Sequence, residues 1–379
     1  MFALYWHRRF LKMIDWPLFL IVLAIAAMGF IAISSAAPSY EVKADLVKQG
    51  AAVGLGVVAW AILLLLDYNE LRGLHWWIYG FNAAMLFAVV VFGVEVYGNK
   101  NWLDLGFIMV QPSELGKVLL IVTLAKQLDS MERMTAWFDL ALPIAHVLPI
   151  LGAVVLQKDL GTALVFIVIS VVVVYTRGFP GKKILAVGLL AAALVVGSVY
   201  SHYTYGTVFP LNINPDQWSR IDSFLYPEKD PQGSGYQVLQ SKMAIATGDI
   251  WGKGYKQGDW QQGGWLPFPH TDFIFAALVE EWGFVGGAVL LGLYVLLFLR
   301  LAVVAFSAND RYGTLIVAGV AALFGAHVLE NVGMTMGLMP VTGIPLPFVS
   351  YGPTALVANM AAIGLVQSVA ARREPLPYD

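Results

Sequence analysis

The amino-acid sequence predicts an all-α, polytopic integral membrane protein with about ten transmembrane helices and one long extracytoplasmic loop. Three observations lead there. Of 379 residues, 59% are hydrophobic and only 13% charged, a balance too apolar for a water-soluble domain. Charge-poor windows long enough to cross hydrocarbon recur along the whole chain, and they lack the apolar–polar alternation of a membrane β-barrel. A backbone in lipid must satisfy its own hydrogen bonds, so such windows fold as helices.

The windows lie near 16–36, 49–66, 76–97, 113–126, 137–156, 160–176, 184–200, 272–299, 313–337 and 353–370. The first follows Arg8, Arg9 and Lys12 and ends in Ser34-Ser35-Ala36-Ala37, the outline of a cleavable signal. At about 18 residues its apolar run exceeds a signal core and reads as a span. With the N-terminus in the cytoplasm, the inside segments hold Arg8, Arg9, Lys12, Arg72, Lys126, Arg133, Arg177, Lys182, Lys183, Arg300, Arg311, Arg372 and Arg373. The short outside loops hold only Lys43, Lys48, Lys100 and Lys158. That asymmetry obeys the positive-inside rule, and an even number of spans returns the C-terminus to the cytoplasm.

A single membrane unit over 1–379 is expected, with residues 201–271 as an extracytoplasmic loop too long to be a plain connection. Its aromatic residues, among them Trp218, Tyr226, Trp251 and Trp265, argue against disorder. Tyr236, Leu239, Met243 and Ala246 recur at helical spacing, which predicts an amphipathic helix packed on the membrane domain or lying in the interface. The net charge of −2 provides no footprint for nucleic acid, and the absence of cysteine excludes disulfides and thiol chemistry.

Ionisable groups at membrane depth are costly and are functional candidates by default. Glu114 and Lys117 stand three residues apart on one helix face just after Pro112-Ser113. They read either as an internal ion pair or as part of a phosphate-holding helix start. Asp159 sits on a tight outer turn, where a helix cap is the plain alternative. Asp272 ends the long loop at the outer boundary, where it or Thr271 reads either as a plain helix N-cap or, for Asp272, as a general base acting on a membrane-held substrate. Glu280 and Glu281 follow deeper in the same window and are expected to reach a polar cavity or bond a neighbouring helix. Gly343 to Gly352 is too rich in Pro and Gly for a plain helix and reads as a cavity-lining segment.

Five strings appear in order: Asn101-Trp102-Leu103-Asp104-Leu105-Gly106, Gln111-Pro112-Ser113-Glu114, Asp159-Leu160-Gly161-Thr162, His270-Thr271-Asp272-Phe273-Ile274-Phe275-Ala276 and Pro345-Leu346-Pro347-Phe348-Val349-Ser350-Tyr351-Gly352. Together with the long outer loop they resemble the SEDS family of bacterial cell-wall proteins over nearly the whole chain. Gly252-Lys253-Gly254 and Gln257-Gly258 look most like its elongation member. The chain departs from the family pattern at Lys158, where Pro is common, at Phe268, where Glu is frequent, and at Pro353, where a second Gly is usual.

The resemblance implies a peptidoglycan glycosyltransferase of the cytoplasmic membrane that polymerises lipid II on the outer face for cell elongation and shape. It also implies a class B penicillin-binding protein as partner. By position, Asp272 matches the essential loop aspartate, Glu114 and Lys117 the fourth-span pair, and Asp159 a further cavity carboxylate. An inverting displacement needs a base, assigned to Asp272, and cations beside the departing pyrophosphate. Lys117, Arg220 and Lys242, or a divalent ion such as Mg or Mn, are the candidates, and no other cofactor is evident. Arg220 and Lys242 read equally as anchors to membrane lipid headgroups. His270 and Ser350 complete the expected substrate-binding set. A lipid II flippase or transporter and a non-catalytic scaffold are the rival readings.

Overall fold

The computed structural model describes residues 13–36, 42–96, 99–104, 106, 109–205, 215–230 and 233–373. Arg8, Arg9, Lys12, Leu105 and the side chain of Lys43 lie outside the described residues.

A helix occupies each of the ten windows. They are α1 (Trp16–Ala36), α2 (Val42–Leu65), α3 (Leu71–Phe92), α4 (Pro112–Asp129), α5 (Ala141–Leu156), α6 (Leu160–Thr176) and α7 (Gly181–Tyr205). After the outer loop come α11 (Ile274–Ser307), α12 (Arg311–Thr335) and α13 (Pro353–Ala371). Eight helices are long and apolar enough to cross a membrane by length and composition, and α6 is a shorter apolar one. The remaining window, α4, carries Glu114, Lys117, Lys126 and Asp129, and its side chains are buried almost all round. It packs against α3, α12 and α13 in the centre. Helices that face protein can hold polar groups, whereas those that face lipid must be apolar. Accordingly α7 touches α6 and leaves most of its apolar side chains pointing outward.

The expectation of a wholly α-helical chain needs one amendment. Between α3 and α4, β1 (Val94–Val96), β2 (Asn99–Asp104) and β3 (Met109–Val110) form an antiparallel sheet in the order β1-β2-β3. It holds Asn101 against the helix starts beneath.

Basic residues gather at the opposite end. Arg300 donates to both Asp15 oxygens, at 2.8 and 2.6 Å, and Arg373 reaches Asp15 at 3.2 Å. Arg72 bridges Asp129 and Asp310, and Arg372 pairs with Asp67. The described residues assigned to the inside by charge thus share one end of the bundle.

The described part of the long loop is folded. Within it lie α8 (Pro215–Leu225), α9 (Ser234–Thr247) and the single turn α10 (Asp259–Gln262). The predicted helix exists, but its inward face is Gly235, Val238, Ser241 and Ala244 rather than Tyr236, Leu239, Met243 and Ala246. Small residues allow close approach, and the Ser241 hydroxyl donates to the Thr335 carbonyl at 2.8 Å.

Glu280 and Glu281 are both buried, and both clamp the loop. Glu280 accepts from the backbone N–H groups of Trp260 and Gln261, at 2.7 and 3.1 Å. Glu281 accepts from Ser35, from the Lys256 N–H and from the Gln261 amide. Two residues on, α11 is interrupted at Gly283, where φ is 68°. The freed groups pair with the loop: Phe284 and Val285 donate to the carbonyls of Asp249 and Ile250. Any Cβ at Gly283 would meet the Ile250 carbonyl oxygen at 2.3 Å. Gly283→Ala is therefore expected to destabilise the protein by about 2 kcal/mol or more and to loosen the loop. Thermal unfolding and faster tryptic cleavage after Lys253 and Lys256 check this.

Candidate functional site

Three stretches of chain build the site: the turn preceding α11, the non-helical segment between α12 and α13, and one face of α12. Pro340, Pro345 and Pro347 keep the segment out of a helix. Gly343 (φ 74°) and Phe348 (φ 64°) bend it back on itself, and Phe348 is packed against Phe324 with ring centroids 5.4 Å apart. Pro353, where the family pattern has Gly, opens α13 at its first turn, a place its fixed φ suits. In the facing turn Phe268 also has positive φ (49°), and its carbonyl accepts from the N–H groups of Thr271 and Phe273. Left-handed non-glycine residues cost energy and persist where their surroundings hold them.

The two pieces are stitched together. The Ser350 hydroxyl donates to the Thr271 carbonyl at 2.6 Å and accepts from the Leu346 N–H at 2.8 Å. Tyr351 donates its N–H to the His270 carbonyl at 2.8 Å, and the two rings lie 5.9 Å apart. Asn331 of α12 donates to the carbonyls of both Asp272 and Ile344, each at 2.8 Å. The Asp272 carboxylate stands beside Gly343, where a Cβ would approach its Oδ2 to 3.5 Å. Asp272 keeps a partly accessible surface. It sits among enough protein atoms that burial lifts its carboxyl from 3.8 to about 6, against the opposing pull of the Arg220 charge.

Arg220 projects from α8 into a recess lined by Ser234, Val238, Met339, Pro340 and Val341. The Lys242 side chain lies along Gly337, at the end of α12, and is solvent-exposed. Both loop cations therefore border the segment that flanks Asp272.

Glu114 and Lys117 form the internal ion pair, 2.7 Å apart, and are only 2% and 1% exposed. The Lys117 ammonium also lies 2.8 Å from His327 Nε2, and His327 Nδ1 lies 3.0 Å from the Pro345 carbonyl. The pair is thus joined to the Asp272 region through bonded protein groups. Asp159 caps α6 through the Thr162 N–H and accepts from Asn101 at 2.8 Å. Its neighbour Lys158 has φ 62°, a conformation closed to proline, so this turn differs from the commoner family pattern. Gly161 packs against Thr342, whose hydroxyl donates to the buried Glu330 at 2.9 Å.

The structure thus brings Asp272, His270, Ser350, Arg220 and Lys242 around one junction, with Glu114, Lys117 and Asp159 on its protein side. His327, Glu330 and Asn331 were missed from sequence. Their signal was present as three polar residues on one face of an otherwise apolar window. Among the described residues no three His, Asp or Glu side chains cluster closely enough to hold a metal ion.

The family model for FtsW/RodA/SpoVE cell cycle proteins matches residues 15–374. The chain is 32% identical to the peptidoglycan glycosyltransferase RodA of Treponema pallidum, over 95% of this chain and 98% of that protein. It is also 32% identical to the peptidoglycan glycosyltransferase MrdB of Escherichia coli K12, over 96% and 95%. A solved structure of a peptidoglycan synthase complex, described as coordinating polymerization and crosslinking, superposes with TM-score 0.80. It is 38% identical and the match covers 94% of this chain and 97% of that one. The rod shape determining protein RodA of Thermus thermophilus superposes with TM-score 0.70 at 34% identity, covering 96% and 98%.

Removing one member of a buried pair leaves an uncompensated charge. Lys117→Met is expected to destabilise the protein by about 3–5 kcal/mol, and the double change Glu114→Leu/Lys117→Met to recover most of that. Thermal or denaturant unfolding in detergent measures both.

Proposed function

This chain belongs to the FtsW/RodA/SpoVE family of cell cycle proteins, and we infer that it is a peptidoglycan glycosyltransferase of the elongation type. Its substrate is lipid II, in which the sugar is α-linked to undecaprenyl pyrophosphate. The acceptor 4-hydroxyl attacks the anomeric carbon of the donor, the bond from that carbon to pyrophosphate breaks, and the hydroxyl proton passes to Asp272. One displacement inverts the centre and yields a β-1,4 linkage. The observation that carries this reading is a partly accessible carboxylate, raised by burial, held at the mouth of a membrane-embedded junction with a guanidinium near enough to act on it.

Arg220 and Lys242 are assigned to the charge of the departing pyrophosphate. A preorganised cation beside a developing anion is worth most where water is excluded. Lys117 takes no direct part, since it is sealed in and engaged on two sides. His270 and Ser350 hold the turn that presents Asp272, and Asp159 supports the start of α6 beside Thr342. A divalent ion neutralising pyrophosphate, Mg or Mn, would draw much of its coordination from the substrate itself. The partner is a class B penicillin-binding protein that crosslinks the glycan as it emerges. The site faces outward across the cytoplasmic membrane, with both termini in the cytoplasm.

Two measurements test this. Purified Asp272→Asn protein, folded and bound to its partner, should polymerise lipid II at least about 10²-fold more slowly. In the unaltered protein the rate should be full at neutral pH and fall as pH drops through about 6, because a protonated Asp272 cannot accept the hydroxyl proton. Normal polymerisation by Asp272→Asn would exclude it as the base. For topology, the chain has no cysteine, so Lys229→Cys and Asn309→Cys each provide one thiol. An impermeant maleimide added to intact cells should label the first and spare the second.

A further inference from the structure

His327 and Asn331 are four residues apart on α12 and therefore face the same way. They grip consecutive peptide units of the non-helical segment: His327 at the Pro345 carbonyl and Asn331 at the Ile344 carbonyl. Asn331 is fully buried, and its amide donates a second bond to the main-chain carbonyl of Asp272 itself. The same side chain thus fixes both walls of the junction.

The geometry also sets the state of His327. The Pro345 carbonyl can only accept, so Nδ1 carries the proton and Nε2 presents its lone pair to Lys117. The Lys117 ammonium then donates to the Glu114 carboxylate and to the imidazole together, aligning the ring on Pro345. With Lys117 1% exposed, an incoming lipid or sugar has no path to its charge.

We propose that His327 and Asn331 are positioning residues for Asp272, and that the Glu114–Lys117 pair serves the reaction through His327 rather than by touching substrate. This rests on the reading of Asp272 as the base. Its consequence is separable: loosening the clamp misplaces the base relative to the reacting hydroxyl while leaving the sites that bind lipid II in place. Errors near 1 Å in such geometry cost on the order of 10²-fold in rate.

The test uses the full chain in complex with its crosslinking partner, with kcat and KM for lipid II measured beside thermal unfolding. His327→Leu and Asn331→Leu should each lower kcat at least about tenfold with KM within about twofold of the original. His327→Gln should restore most of kcat, since its amide can donate to Pro345 and accept from Lys117. Should the leucine variants fail to fold, His327→Gln and the isosteric Asn331→Asp decide: the first must retain turnover and the second must lose it. Unchanged kcat in folded variants, a rise in KM alone, or a folded His327→Gln with as little turnover as His327→Leu would overturn the inference. Asp272→Asn in the same assay separates the two ideas. Full rate from that variant defeats the base itself, whereas its inactivity alongside normal kcat in the α12 variants defeats only the clamp.

Discussion

A polypeptide within a bilayer must find a partner for every backbone polar group, and the segment between α12 and α13 is where that requirement is hardest to meet. Three prolines deprive it of N–H donors, so it carries more carbonyls than amides. Donors have to come from elsewhere. Asn331 serves Ile344, His327 serves Pro345, and Tyr294 of α11 donates its hydroxyl to Pro347 at 2.5 Å. One of these side chains, Asn331, also donates to the main-chain carbonyl of the candidate base.

That requirement explains an inversion across the molecule. Soluble helices put their polar faces outward; here the polar groups sit on the central helices α4 and α12, while a peripheral helix such as α7 turns its apolar side chains outward. Lys117 and Glu114 are stable inside only because each satisfies the other and because His327 accepts from the ammonium. Glu280 and Glu281 follow the same logic at the outer rim. Their carboxylates accept backbone N–H groups of the loop, so polar groups in the span dock the stretch from Lys256 to Gln261.

Much of this was legible in the sequence, for reasons that also mark where legibility stopped. Span positions follow from hydrocarbon thickness, and the window at 160–176 coincides with α6. The prolines and glycines of 343–352 announced a non-helical segment because no helix could accommodate them. The strands of the outer sheet are too short to leave a period. The break at Gly283 lies inside an unbroken apolar window, and only its close contact with the loop reveals it. The apolar spacing in α9 marks a helix but not the face that packs, which is built from small residues. Beside a membrane, Met243 can face outward at little cost while Ser241 and Ala244 supply the tight seam. Sequence can flag His327 and Asn331 as polar residues in a span, but their partners lie across a fold it does not specify.

The site's charge balance follows from this division of labour. Asp272 is held on the bundle side, by the Asn331 amide on its own carbonyl and by Ser350 and Tyr351 on the carbonyls of Thr271 and His270, where desolvation raises its carboxyl. Arg220 belongs to the loop side, on α8, which packs on α9, and α9 is seated on α11 and α12. A base needs fixed geometry against one hydroxyl, whereas a leaving pyrophosphate needs charge that can follow it as its bond lengthens. In the proposed reaction, placing the base on the bundle and the cation on the loop satisfies both demands.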